Sequence, residues 1–285
     1  MTAASGFKPA PTVGPPMPGE LPRLGFGTYE HDDPEVCAES VRQALELGYR
    51  HVDTAQGYEN EASVGRGIRA SSVDREDVFL ATKLTTDNLA YDDVIHSTRK
   101  SMDRLGVDTI DLLYVHWPLN TYDPADTLPA LDDLVDRGWI RHVGVSNFEP
   151  RHLAAARDVL ENPIFANQVE MHPMLRQDTL LADAREHDYW IVAYSPIARG
   201  EFFDHPAIAE TAERLDCTPA QVCLAWLLDR DNVAAIPKAT GDHVAENYGA
   251  LAVELDAEAR ERIDAIDEEH RIVDFDEAPW HAAAD

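Results

Sequence analysis

A chain of 285 residues with 44% hydrophobic and 8% aromatic side chains can bury one large core, which excludes disorder over most of its length and fits the size that α/β barrels fill as one unit. Its 53 acidic residues against 24 basic ones leave a net charge of -29, which excludes nucleic acid as a partner. Lysine occurs only at Lys8, Lys83, Lys100 and Lys238, and an acidic, lysine-poor surface suits a high-salt cytoplasm; an ordinary acidic enzyme is the alternative.

Residues 1–20, rich in Pro, Gly and Ala, read as an arm that crosses the bottom of the fold or stays loose, ahead of one domain over 21–285. Strands are expected at 24–28, 51–54, 78–84, 112–117, 142–146, 167–171, 190–194 and 233–237, spaced as βαβ units are. The first intervening helix has Asp33 as N-cap, Pro34 at its first position, Ala38, Val41 and Leu45 on one face, and Gly48 to stop it. The third repeats the pattern with Val94, Thr98, Met102 and Leu105 before Gly106. Strict alternation eight times over points to a single-domain α/β fold, a closed (β/α)8 TIM barrel. The tail from 267 onward reads as a closing loop.

Cys37, Cys217 and Cys223 are odd in number and lack CxxC spacing, so reduced thiols are expected. The N-terminus shows no basic, then apolar, leader, and no run approaches the ~18 apolar residues of a membrane span. A cytoplasmic protein with no membrane partner is therefore expected. No GxGxxG opens a helix after a strand, so a dinucleotide would have to bind by another route.

Chemistry in such a barrel sits where strands end. Strand two exits through HVDTA with Asp53, followed by Tyr58 in QGYENE; strand three exits at Lys83 and strand four at His116. Taken singly, these are a helix cap, a packing aromatic, a snorkelling lysine and a core histidine. Taken together they form an acid system. An ammonium beside a buried phenol favours the phenolate and is expected to lower the Tyr58 pKa, bringing proton donation within reach. Asp53 would compensate the ammonium, and His116 would orient a carbonyl oxygen. Such a site protonates an oxygen while a hydride carrier attacks the carbon.

The segments GFGTY, GYRHVDTAQGYENE, ATKL, RLGVDTIDLLYVHWP, GVSNF, NQVEMHP, AYSPI and IPKAT make the chain resemble the aldo-keto reductases, most closely the bacterial branch acting on keto sugar acids and small aldehydes. The resemblance implies Asp53, Tyr58, Lys83 and His116 as catalytic residues, with Tyr58 the general acid in reduction. It implies Thr28 and Asp53 at the cofactor, Ser146, Asn147 and Gln168 on the nicotinamide carboxamide, and Tyr194 stacked on the ring. Ser195, Pro196 and Ile197 match the pyrophosphate loop, and Lys238, Thr240, His243, Glu246 and Asn247 match the adenosine end. Tyr29, Tyr58, His116 and Trp117 would face a small carbonyl substrate, with Trp280 over the opening. A monomer is implied.

Two departures stand out. Ala239 and His243 occupy positions where the family often clamps the 2′-phosphate with serine and arginine. Lys238 remains a point charge for that phosphate, so NADPH is the expected cofactor, with NADH the alternative. Thr85 replaces an aromatic wall, which implies a wider or more polar mouth. Two rival readings remain: a metal hydrolase using His51, Asp53 and His116, and a non-catalytic NAD(P)-binding sensor.

Overall fold

In the computed structural model, which describes residues 21–281, eight strands run in the order of the sequence, each parallel to its neighbours. They are β1 (Phe26–Gly27), β2 (His51–Asp53), β3 (Phe79–Leu84), β4 (Ile110–Val115), β5 (Ile140–Ser146), β6 (Ile164–Glu170), β7 (Trp190–Tyr194) and β8 (Val233–Ala235). Parallel bridges Leu24↔Ala235 and Gly27↔Lys238 join the first strand to the last and close the barrel. Closure demands a glycine at 27, because a Cβ there would stand 2.6 Å from the Ile236 carbonyl oxygen. The expected (β/α)8 architecture is thus present, and the N-terminal arm lies outside the described residues.

Helices alternate with these strands. Asp33 caps α1 (Pro34–Leu47) by accepting from the backbone N–H groups of Glu35 and Val36, and Gly48 ends the helix in the left-handed region at φ 117°. The helix buries Cys37, Val41, Ala44 and Leu45. Helices α2 (Glu61–Ala70), α3 (Tyr91–Leu105), α4 (Pro124–Asp136), α5 (Pro150–Val159) and α6 (Asp178–His187) follow the next strands. Simple alternation breaks between β7 and β8, where two helices, α7 (Pro206–Leu215) and α8 (Pro219–Leu228), fill the interval. Thr218 and Gln221 form a capping box that starts α8 afresh with Pro219 at its first position. Beyond β8 lie α9 (Asp242–Tyr248) and α10 (Ala257–Asp264).

Several strands begin earlier than the sequence pattern suggests. β4 starts at Ile110 because Ile110 pairs with Ile140, and the Asp111 carboxylate accepts from the Leu80 N–H at 2.9 Å and from Arg75 at 2.7 Å. The strand ends at Val115, so His116 and Trp117 belong to the exit loop. An outer core between strands and helices and an inner one within the barrel carry the fold, at about 1.5–3 kcal/mol for each large apolar side chain buried. The inner core, with Phe79, Leu112, Tyr114 and Val192 above Leu21, fills the barrel beneath its C-terminal mouth. Among the described residues no helix is long and apolar enough to cross a membrane.

Candidate active site

A cavity of about 510 Å³ opens at the C-terminal end of the strands. Its floor is made by β2 and β3. Lys83, wholly buried, forms an ion pair with Asp53, which is 1% exposed, and also donates to the Thr54 carbonyl at 2.9 Å and the Tyr58 hydroxyl oxygen at 3.2 Å. The other Asp53 carboxylate oxygen accepts from the Gln168 carboxamide at 2.8 Å. Both charges are therefore compensated despite burial.

Tyr58 rides on a short 3-10 turn (Gln56–Tyr58), pinned on both sides. Gln56 donates to Ser101 at 3.1 Å and accepts from the Thr85 N–H at 3.2 Å. Asn60 donates to the Thr28 carbonyl and accepts from the Thr54 hydroxyl, both at 2.8 Å. The Tyr58 ring meets Tyr29 edge-on at 5.1 Å and His116 at 5.8 Å.

Electrostatics depart from the sequence expectation at one point. The Tyr58 pKa is raised: burial pushes it up more than the Lys83 ammonium pulls it down, and Asp53 adds to the rise. Lys83 itself is raised, since Asp53 and Tyr58 together outweigh the downward pull of burial. The phenol is thus stored protonated at neutral pH beside a cation, rather than made acidic in the resting site. Burial, then Lys83, lowers His116 to about 3, so its imidazole is neutral.

On the opposite wall, Ser146 donates to the Gln168 carbonyl at 2.8 Å, and Asn147, at φ 61°, donates to Ser146 Oγ and the His116 carbonyl, both at 3.1 Å. The Tyr194 hydroxyl donates to the Asn147 side-chain oxygen at 3.0 Å. Thr28, Ser195, Pro196, Ile197 and Lys238 complete the expected cofactor contacts that line the cavity. Thr240, His243, Glu246 and Asn247 do not line it; His243 is exposed and pairs with Glu246 at 2.9 Å.

Trp117 and Tyr29 form aromatic walls, and Trp280 packs on Trp117 at 5.8 Å with Phe275 at 5.0 Å. Thr85 is not part of the wall; its backbone and hydroxyl serve Gln56 and Asn88 instead. Sequence reasoning missed Glu30, Arg199, Ile236 and Val273, which also line the cavity. Glu30 reaches Arg199 and Lys238 at 4.0 Å each, a meeting of three loops with no local signature. Among the described residues no three His, Cys, Asp or Glu side chains gather as a metal site would require, so His51, Asp53 and His116 are not brought together as ligands.

The model of the Aldo/keto reductase family matches residues 23–268. The chain belongs to the aldo-keto reductase family. An aldo-keto reductase of Mycolicibacterium vanbaalenii is 38% identical over 94% of this chain and 95% of that protein. The 9,11-endoperoxide prostaglandin H2 reductase of Trypanosoma cruzi is 36% identical over 88% and 90%. Among solved structures, an aldo-keto reductase from a Medee basin deep-sea metagenome library superposes with a TM-score of 0.86 at 31% identity, covering 91% of this chain and 96% of that one. A protein assigned provisionally as a 2,5-diketo-D-gluconic acid reductase B gives 0.84 at 37% identity, covering 86% and 88%. As a member of this family the chain is an NAD(P)-dependent oxidoreductase that acts on small-molecule carbonyls.

The chain's own residues fit a nicotinamide dinucleotide. Ser146, Asn147 and Gln168, all at most 3% exposed, gather donors and acceptors of the kind a carboxamide needs, and Tyr194 offers a flat ring beside them. Arg199 and Lys238 supply cations suited to phosphates.

Proposed function

We propose that this aldo-keto reductase reduces aldehydes and ketones to alcohols with NADPH, in preference to NADH, and that Tyr58 is the proton donor. The observation that carries this reading is the 3.2 Å contact between the Tyr58 hydroxyl and Lys83, itself paired with Asp53, at the floor of a cavity bearing Ser146, Asn147 and Gln168. When bound, the nicotinamide supplies hydride. Tyr58 holds a proton at its hydroxyl and gives it to the carbonyl oxygen as negative charge develops there. Its raised pKa keeps that proton in place until a stronger base, the nascent alkoxide, calls for it. Lys83 then steadies the phenolate left behind, and Asp53 fixes Lys83. The neutral His116 donates to the same carbonyl oxygen and orients it.

Tyr29 and Trp117 wall the substrate end. Keto sugar acids would need a cation to meet a carboxylate, and the two cations among the lining residues, Arg199 and Lys238, are the ones suited to the cofactor's phosphates. Less polar aldehydes and ketones suit the wall better. Among the described residues the whole cavity lining comes from this one chain, which suits a monomer, and three unpaired thiols suit a cytoplasmic setting.

Turnover of 4-nitrobenzaldehyde with NADPH, lost by a factor of about 10²–10⁴ in Tyr58→Phe with cofactor binding retained, is the expected result. Unchanged turnover in that variant removes Tyr58 from its role. A lower Michaelis constant for NADH than for NADPH overturns the cofactor preference.

A further inference from the structure

Strand β6 carries two polar side chains two residues apart, Gln168 and Glu170, which period-two alternation puts on the same face. Gln168 serves Asp53. Glu170 is wholly buried next to Tyr194 in the neighbouring strand, yet it is not part of the cavity wall. A buried carboxylate is costly unless its oxygens are fully hydrogen-bonded. Glu170 finds its partners in the C-terminal tail. One oxygen accepts from the Ile272 N–H at 2.5 Å and from the His172 Nε2 at 3.0 Å; the other accepts from the Val273 N–H at 2.8 Å. His172, also wholly buried, must carry its proton on Nε2 to make this contact.

What the carboxylate holds matters for the cavity. Val273 lines it directly. Two residues on, Phe275 packs on the cavity-lining Trp117, and Trp280 contacts the same ring. Arg271 lies 3.8 Å over Trp280, Arg151 donates to the Pro279 carbonyl at 2.9 Å, and the His270 N–H donates to the Met174 carbonyl at 3.0 Å. The tail is therefore tied at several points, and Glu170 provides two charge-assisted ties from a side chain that is itself wholly buried.

We propose that Glu170, steadied by His172, is a specificity-determining positioning residue that pins residues 272–273 and thereby sets the cavity wall at Val273 and at Trp117, the latter through Phe275 and Trp280 packed against its ring. The consequence for substrates rests on the carbonyl-reductase reading of the cavity; the clamp itself does not. Carbonyls large enough to reach the wall depend on Glu170, whereas small ones that occupy only the floor do not.

Glu170→Gln keeps the shape but turns one acceptor into a donor, so one tail N–H faces another N–H. Amide hydrogen exchange should quicken at least tenfold across 271–275 while β6 and β7 keep their protection. The KM for 4-nitrobenzaldehyde should rise about tenfold with kcat held within twofold, the KM for propanal and the Kd for NADPH, read by protein fluorescence, should stay within twofold, and Glu170→Asp should restore part of the loss. Unchanged exchange across 271–275 overturns the proposal, as does an equal loss on both carbonyls with weakened NADPH binding, which would mark a general role in β6. Should Glu170→Gln fail to fold, Ile272→Pro removes one of the two tail donors without touching the barrel, and must give the same exchange and KM pattern or the proposal falls. If the unaltered protein reduces neither carbonyl, the reductase reading fails while the exchange result still decides the clamp.

Discussion

At the floor of the cavity Lys83 and Asp53 are 0% and 1% exposed and locked to each other and to Tyr58, Thr54 and Gln168. At its mouth Glu30, Arg199 and Lys238 have side chains 42–51% exposed and approach one another only to 4.0 Å. The same kind of charge pair thus does two different things. In the floor, loss of water makes each contact strong and its geometry fixed, as a proton transfer requires. At the mouth, water and salt weaken the pairs, so each contact holds its geometry less firmly.

The sharpest way to break this contrast is to remove the floor's cation. Lys83→Met leaves Asp53 buried with one lone amide partner, and should destabilise the fold by about 3–5 kcal/mol. Turnover should fall along with it, by at least about 10². Urea unfolding and steady-state kinetics check both. A stability change below about 1 kcal/mol would show that the floor is wetter and softer than its burial states.

Buried histidines give a second test, through pH. Burial lowers His51 to about 4, and it lowers His31 likewise to about 4. A group whose folded pKa is depressed contributes stability that is complete above its unfolded pKa of ~6.5 and is lost as pH falls toward 4. The wholly buried His51 alone should contribute on the order of 3 kcal/mol across that window. The slope of unfolding free energy between pH 6.5 and 5 therefore carries the contribution of His51, which the variant isolates. In His51→Gln that slope should fall by about one proton; an unchanged slope would place His51 in contact with water.

Fold and floor were legible in the sequence for related reasons. Asp33 and Gly48 punctuate α1 through bonds to residues two to four positions away, with Pro34 at the first helical position, and local chemistry of that kind is written in local sequence. Asp53, Lys83 and His116 lie at three successive strand exits, so a correct barrel brings them together without further information. The strength of burial was not legible. Lys83 does pull on Tyr58 as expected, but the direction of the net shift depends on how much water the folded floor excludes. Contacts between distant loops were also hidden: Glu30 meets Arg199, and Glu170 meets residues 102 and 103 positions downstream, through partners that no spacing rule connects.

The smallest effect is expected at the mouth, and it sharpens the contrast most because the outcome depends on solvent. Glu30→Gln removes the carboxylate shared by Arg199 and Lys238. With every partner about half exposed, the change is worth at most about 1 kcal/mol, or roughly fivefold in the Kd or release rate of NADPH. Its sign follows from which job Glu30 performs. If it ties the loops together over bound cofactor, NADPH should leave faster in the variant; if it competes with phosphate for the two cations, binding should tighten instead. We expect faster release, because Glu30 sits on the first strand's exit loop and its two partners on the exits of β7 and β8, so the pairs span the opening. Either effect should fade as salt shortens the range of charge, to ~3 Å near 1 M. Stopped-flow release in 0.1 M and 1 M KCl decides the matter: a difference that persists unchanged at 1 M would mean that Glu30 acts through contact rather than charge, and the mouth would then resemble the floor.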